Sequence, residues 1–303
     1  MTDYRRLMCV EDLFSSSNGG EGVKIAVLDS GYPRPFLKVG HQVDKKFDHE
    51  DKFGHASGVS TILFGGKWIP GLCEAAEPYY IAVLDNDGSG TVDSVADGIY
   101  EAIDLDVDII NLSLGFFRTE KCPKRLEKAC QAAFDAKKPI ICAAGNDSGP
   151  VNWPAALKTT ISVGSSDKNS LKTAFSSVGE VDFVAPGVNL SVFDASGREK
   201  KVSGTSFSAA IVTGVSALLV NDIRQNEGKF GVDELRSALK DFSVDVDDEG
   251  WDPRTGFGLI SGKIHDSTVC MKNRTGIFDR MICKIQGILG FGQKGVRNGG
   301  RKV

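Results

Sequence analysis

Short runs rich in β-branched residues recur along the chain and read as buried strands: Val23 to Leu28, Tyr80 to Leu84, Val107 to Leu112, Pro139 to Ala143, Thr160 to Val163 and Val181 to Val184. Between them apolar residues follow helical spacing, notably over Val92 to Leu105, Pro123 to Ala136 and Ser206 to Asn221. Strands that are apolar on both faces and alternate with helices predict a mostly parallel sheet covered on both sides, a doubly wound α/β architecture. In such sheets functional groups gather at the carboxyl ends of the strands. That is where the polar motifs fall. Asp29 ends its strand in VKIAVLDSG, Asn111 and Ser113 end another in DIINLSLG, and Asn146 follows a third in PIICAAGN.

Composition changes this picture at the two ends. The 303 residues, 41% hydrophobic and 25% charged, suit one large globular domain or two small ones. The formal net charge of -4 gives no overall attraction to nucleic acid. From Cys270 onward, however, eight Lys and Arg face a single acid, Asp279, which leaves the rest of the chain at about -11. Ile277, Met281, Ile282, Ile285, Ile288 and Leu289 recur there at helical spacing. The segment predicts a helix packed on the body or on a partner, with an anionic or membrane surface as the other reading. The expected divisions are a short N-terminal extension over 1–21, a main domain over 22–265 and a basic extension over 266–303. The first residues, MTDYRRLMCVEDLF, lack an apolar stretch of secretory-signal length, and no apolar run elsewhere reads as transmembrane. Seven cysteines, an odd number, show no CxxC pair and no Cys/His spacing suited to zinc. A cytoplasmic protein with reduced thiols, Cys142 among the core residues, is the expectation.

Each candidate for chemistry has an ordinary reading when taken alone. Ser206, opening the helix in GTSFSAAIVTGVSALL, would be an N-cap. Asp29 in DSG would cap a turn or hold a ribose, although DSGYPRPF lacks the GxGxxG of a dinucleotide site. His55 in FGHASGVSTILF would be a structural histidine, and Asn146 a turn former. His49-Glu50 begins like HExxH, but Phe53 stands where the second histidine belongs. Together they read differently. The order Asp29, His55, Ser206 is the subtilisin order among convergent Ser-His-Asp enzymes, and GTSFS is not the GxSxG of α/β-hydrolases.

On these blocks the sequence closely resembles the subtilase family from about Gly22 to about Ser261. GSGTVDSVADGIYEAIDLDVDIINLSLG, FSSVGEVDFVAPGV and GFGLI match it between and beyond the blocks. The resemblance implies a serine endopeptidase, with broad intracellular proteolysis or processing of a dedicated precursor as its task. It implies His55 as the base for Ser206, Asp29 as the group orienting His55, and Asn146 as oxyanion donor beside the Ser206 N–H. Substrate would add as a β-strand between Gly88-Ser89-Gly90 and Ser113-Leu114-Gly115. Ala143, Ala144 and Gly145 would line the pocket for the residue before the cut, with Asn152 near its floor. A catalytically silent module that binds extended peptides in the same cleft is the alternative; a nucleotide-binding α/β protein is a third reading, weakened by the missing phosphate fingerprint.

Several departures qualify the likeness. The His block reads His55-Ala56-Ser57-Gly58 where Gly-Thr usually follows the histidine, and Phe116 and Phe117 follow Gly115 where another glycine is common. About 28 residues precede Asp29, too few for the long prodomain of secreted members. The stretch LFGGKWIPGLCEAAEP offers only Glu74 and Glu77 to the calcium loop many relatives carry. The expectation is no cofactor and no family calcium site.

Overall fold

The apolar runs do form the sheet, and their registers set its order. The computed structural model describes residues 2–33, 41–42, 50–227 and 230–262. In chain order the elements are α1 (Tyr4–Met8), α2 (Glu11–Ser16), β1 (Lys24–Asp29), β2 (His41–Gln42), α3 (His55–Phe64), β3 (Glu77–Ala82), α4 (Val92–Asp104), β4 (Ile109–Leu112), α5 (Lys124–Asp135), β5 (Ile140–Ala143), β6 (Ile161–Ser166), β7 (Phe183–Pro186), β8 (Leu190–Phe193), β9 (Glu199–Val202), α6 (Thr205–Glu227), α7 (Val232–Asp241), β10 (Ser243–Val244) and β11 (Leu259–Ile260). The strands other than β8 and β9 form one sheet in the order β10-β11-β7-β6-β5-β4-β1-β3-β2. Every pairing in it is parallel except β10 with β11.

Alternate residues of the buried strands feed two cores, because successive side chains leave a strand on opposite faces. Ala26 and Leu28 of β1, Ile110 and Leu112 of β4, and Ile140 and Cys142 of β5 pack with Val95, Ile99, Leu126 and Ala129 of α4 and α5. On the other face α6 packs against β4, β5, β6 and β7, and α3 packs beside it on β1. From β1 the sheet grows one way through β3 and the other way through β4, so the crevice of a doubly wound fold opens at the carboxyl ends of β1 and β4.

Residues 205–225 of α6 are long and apolar enough to cross a membrane by length and composition, which corrects the expectation that no run reaches that length. Within this helix, 83% of the most apolar window is buried in the protein. A helix wedged between a sheet and other helices is apolar all round for that reason.

The N-terminal extension is folded against the body. Tyr4 and Met8 are fully buried, and the Tyr4 hydroxyl donates to the Ser191 carbonyl at 2.5 Å. The Gly262 N–H donates to the Met8 carbonyl at 2.8 Å, tying the two ends of this unit together. By its contacts the chain divides into Met1–His265 and Asp266–Val303. The second unit, with the expected basic helix, lies outside the described residues.

Candidate active site

β1 carries Asp29 at its last position, fully buried. His55 is the first residue of α3, and the turn before it depends on Gly54, whose φ is +83°. A Cβ on Gly54 would sit 3.1 Å from the Ala195 nitrogen, so both the dihedral and the space call for glycine. The His55 Nδ1 lies 2.8 and 2.9 Å from the two carboxylate oxygens of Asp29. A carboxylate only accepts, so Nδ1 carries the hydrogen and Nε2 of the neutral ring carries the free lone pair. Burial opposes a charge on this ring. The field and hydrogen bond of Asp29, assisted by Asp51 and opposed by Lys200, outweigh it and raise the His55 pKa above its ordinary 6.5.

Asp51 went unnoticed in the sequence, where it stands in the charged stretch FDHEDKF. In the structure it is fully buried. Its Oδ1 accepts from the Ser30 hydroxyl at 2.9 Å and the Gly54 N–H at 2.6 Å; its Oδ2 accepts from the Ser57 N–H and hydroxyl, both at 2.7 Å. Asp51 thereby joins the residue after Asp29 to residues on either side of His55.

Ser206 is the second residue of α6, so its backbone N–H lies in the first turn, where no intrahelical acceptor exists. The Ser113 hydroxyl donates to the Ser206 carbonyl at 2.8 Å and accepts from Asn111 Nδ2 at 3.0 Å. The Thr213 hydroxyl in turn donates to Asn111 Oδ1 at 3.0 Å. This buried chain pins the end of β4 to the first turns of α6. Phe207, the neighbour of Ser206, stacks its ring at a tilt 5.5 Å from that of His55.

Asn146 faces the same helix start. Its Oδ1 accepts from the Thr205 N–H at 2.9 Å and the Thr205 hydroxyl at 3.0 Å. A backbone N–H can only donate, so this contact fixes which end of the amide faces Thr205 and leaves Nδ2 as the outward donor. Thr205 stands in the GTSFS block, but the sequence assigned it no role of its own.

A cavity of about 260 Å³ has Ser206, Thr205, Asn146 and Gly145 on one side and Leu114, Gly115, Phe117, Ala143, Asp147 and Asn152 around the rest. A larger hollow of about 700 Å³, between Phe134, Leu157, Trp251 and Phe257, contains none of these groups. The smaller cavity is the candidate site because it holds the serine and the outward amide together.

Three expected site features fall elsewhere. Ala144 is not part of the lining: it is fully buried in the core beneath α4 and α5, facing away from its neighbours Ala143 and Gly145. Gly88, Ser89 and Gly90 lie outside the cavity in a turn held by Asp85, whose Oδ1 accepts the N–H groups of Asp87 and Ser89 at 2.9 Å each. Gly90 returns to pair with Leu84, so the segment is a turn with one bridge and no regular strand. Ser113 acts behind Ser206 through its carbonyl, while Leu114 and Gly115 do line the cavity.

A mostly parallel sheet with a buried Asp-His pair at the end of its first strand, and a serine opening its central helix, defines a subtilisin-like α/β fold of the serine protease class. Residues 20–258 match the subtilase family, Peptidase_S8, and the chain belongs to that family. It is 31% identical over 264 residues to the Minor extracellular protease Epr of Bacillus subtilis, covering 84% of this chain and 40% of Epr. It is 30% identical over 253 residues to Subtilisin Savinase of Lederbergia lenta, covering 80% of this chain and 90% of that protein. Among solved structures, Prenylagaramide maturation protease PagA superposes with a TM-score of 0.72 at 25% identity, covering 83% of this chain and 95% of PagA. The chain thus spans less than half the length of Epr.

Proposed function

We propose that the chain is a serine endopeptidase in which Asp29, His55 and Ser206 form a catalytic triad. The observation that carries this reading is the fully buried Asp29 with both oxygens on His55 Nδ1, which leaves Nε2 of the neutral ring free to accept a proton. In this mechanism Ser206 Oγ attacks a peptide carbonyl while His55 takes its proton. The carbonyl oxygen gathers negative charge and is met by Asn146 Nδ2 and the Ser206 N–H. His55 then protonates the leaving amine, and water hydrolyses the acyl-enzyme by the same route in reverse. Asp29 holds the tautomer and stabilises the charged ring.

Processing of a precursor polypeptide is the favoured task over broad proteolysis, supported by the likeness to PagA, whose name is that of a maturation protease. Ser206→Ala removes only the attacking oxygen, so a folded Ser206→Ala protein is expected to lose peptide hydrolysis. Retained hydrolysis in that variant would refute the triad. A folded wild-type protein that binds extended peptides without cutting them would instead support the silent binding module.

A further inference from the structure

Two phenyl rings reach the imidazole of His55 from different elements. Phe207, on α6 beside Ser206, is buried, and its ring centroid lies 5.5 Å from that of His55 with the planes 46° apart. Phe53, in the loop before α3, lies 6.4 Å from His55 with the planes 36° apart, although the residue is 49% exposed. Core burial does not account for a ring left half in water. The backbone makes room for both rings. A Cβ on Gly88, whose φ is +76°, would fall 2.6 Å from two atoms of the Phe53 ring, and a Cβ on Gly58 of α3 would fall 3.1 Å from the Phe207 ring. Glycine inside a helix weakens it, so its place at 58 follows from the ring it admits.

Asp29 holds one edge of the imidazole, at Nδ1, and packing against the phenyl rings limits how the plane can swing about that edge. A phenyl face also carries partial negative charge, so a ring at this range favours imidazolium over neutral imidazole. The formal charges acting on His55 are Asp29 on β1, Asp51 ahead of α3 and Lys200 on β9. On the turn that Phe53 touches, Asp87 is exposed, and Asp85 Oδ1 is engaged by the N–H groups of Asp87 and Ser89. The two rings therefore favour the charged base without bringing a further charge into the site.

We propose that Phe53 and Phe207 are positioning residues for the reaction, fixing the plane of His55 and stabilising its protonated form. The inference rests on the endopeptidase reading above, in which His55 becomes charged as it takes the proton of Ser206 and neutral again as it protonates the leaving amine. Both rings act through His55 and neither exchanges a proton. Leu in place of either Phe keeps apolar cover over the imidazole and removes only the ring, so it separates this role from simple exclusion of water. Loss of cover would relieve burial of His55 and raise its pKa; loss of the ring lowers it.

The test is an NMR titration of the full chain labelled at its four histidines, with His55 assigned through His55→Gln, beside a pH profile of kcat and KM on a fluorogenic peptide. Phe53→Leu and Phe207→Leu should each lower the His55 midpoint by about 0.4–0.7 pH unit and kcat on the plateau by about two- to fivefold. Phe53→Trp should hold both at the wild-type level. Phe53 is half exposed, so Phe53→Leu keeps the fold and carries the test even where Phe207→Leu unfolds. A His55 midpoint that is unchanged or raised in folded Phe53→Leu would overturn this proposal and leave the endopeptidase reading intact. A folded wild-type chain that cuts no peptide would overturn the endopeptidase reading, and the titration, which needs no turnover, would still decide whether the rings act on His55.

Discussion

Asp51→Asn is the perturbation that most sharply tests how the site is held. The carboxylate takes two donors on each oxygen, and each oxygen has one backbone donor, Gly54 N–H on Oδ1 and Ser57 N–H on Oδ2. An amide replaces one oxygen by NH₂, so whichever way it turns, one backbone N–H faces another donor. The hydroxyls of Ser30 and Ser57 can rotate to accept; the backbone cannot. One orphaned buried donor costs about 1–3 kcal/mol, and loss of charge assistance in the remaining bonds adds about 1, for a total of about 2–4 kcal/mol. The strain falls at Gly54 and Ser57, the residues that bracket His55, so the ring loses both its seat and one of the charges that raise its pKa. Urea unfolding should register the stability loss, and the basic form of His55 should persist to lower pH in a kcat/KM profile of the folded variant. A variant within about 0.5 kcal/mol of wild type, with an unmoved pH profile, would show that Asp51 neither clamps the site nor acts on His55.

Three further outcomes follow from the same geometry. Asn146→Ala should lower kcat by about 100- to 1,000-fold, the range for loss of one oxyanion donor, with KM little changed because the bond strengthens in the transition state; an effect confined to KM would remove Asn146 from that role. The raised His55 pKa has opposite signs for activity and stability. Activity needs the neutral ring, so kcat/KM should rise with pH through a midpoint above 6.5, whereas the Asp29-His55 pairing stabilises the fold fully below about 6.5 and loses that contribution as pH climbs through the folded-state pKa; a stability difference between wild type and His55→Gln that grows with pH would contradict this. In the loop after α3, Glu74 serves the Gly71 N–H at 3.0 Å and Arg5 at 2.6 Å, and Glu77 serves His41 at 2.5 Å. With both acids engaged, chelator should shift Tm by less than about 2 °C through this loop, and a larger loss traced to it would refute the absence of the family calcium site.

The core strands and the polar positions at their carboxyl ends were legible because burial on both faces leaves continuous apolar runs, and because Asp29, Asn111 and Asn146 interrupt them at one end. Elements governed by local turns or partial exposure were not. The β8-β9 hairpin has an exposed second strand, EKKV, and is organised by Asp194, whose Oδ1 accepts the Ser196 and Arg198 N–H groups at 2.8 and 3.0 Å. Strand β3 starts at Glu77, ahead of the apolar run, because its register with β1 runs from Lys24↔Glu77 to Asp29↔Ala82. Asp51 and Thr205 were invisible for another reason. Their roles depend on which donors and acceptors surround them after folding, and neither residue type nor spacing encodes that.

Labelling with a fluorophosphonate, read by peptide mass spectrometry, tests the central claim most directly. A phosphonyl group forms on a serine only when a neighbouring base and oxyanion donors activate it. The account predicts one adduct, on the peptide containing Ser206, that is lost in His55→Ala and sharply slowed in Asp29→Ala. No adduct on the folded protein, or an adduct on another serine that survives both substitutions, would contradict it.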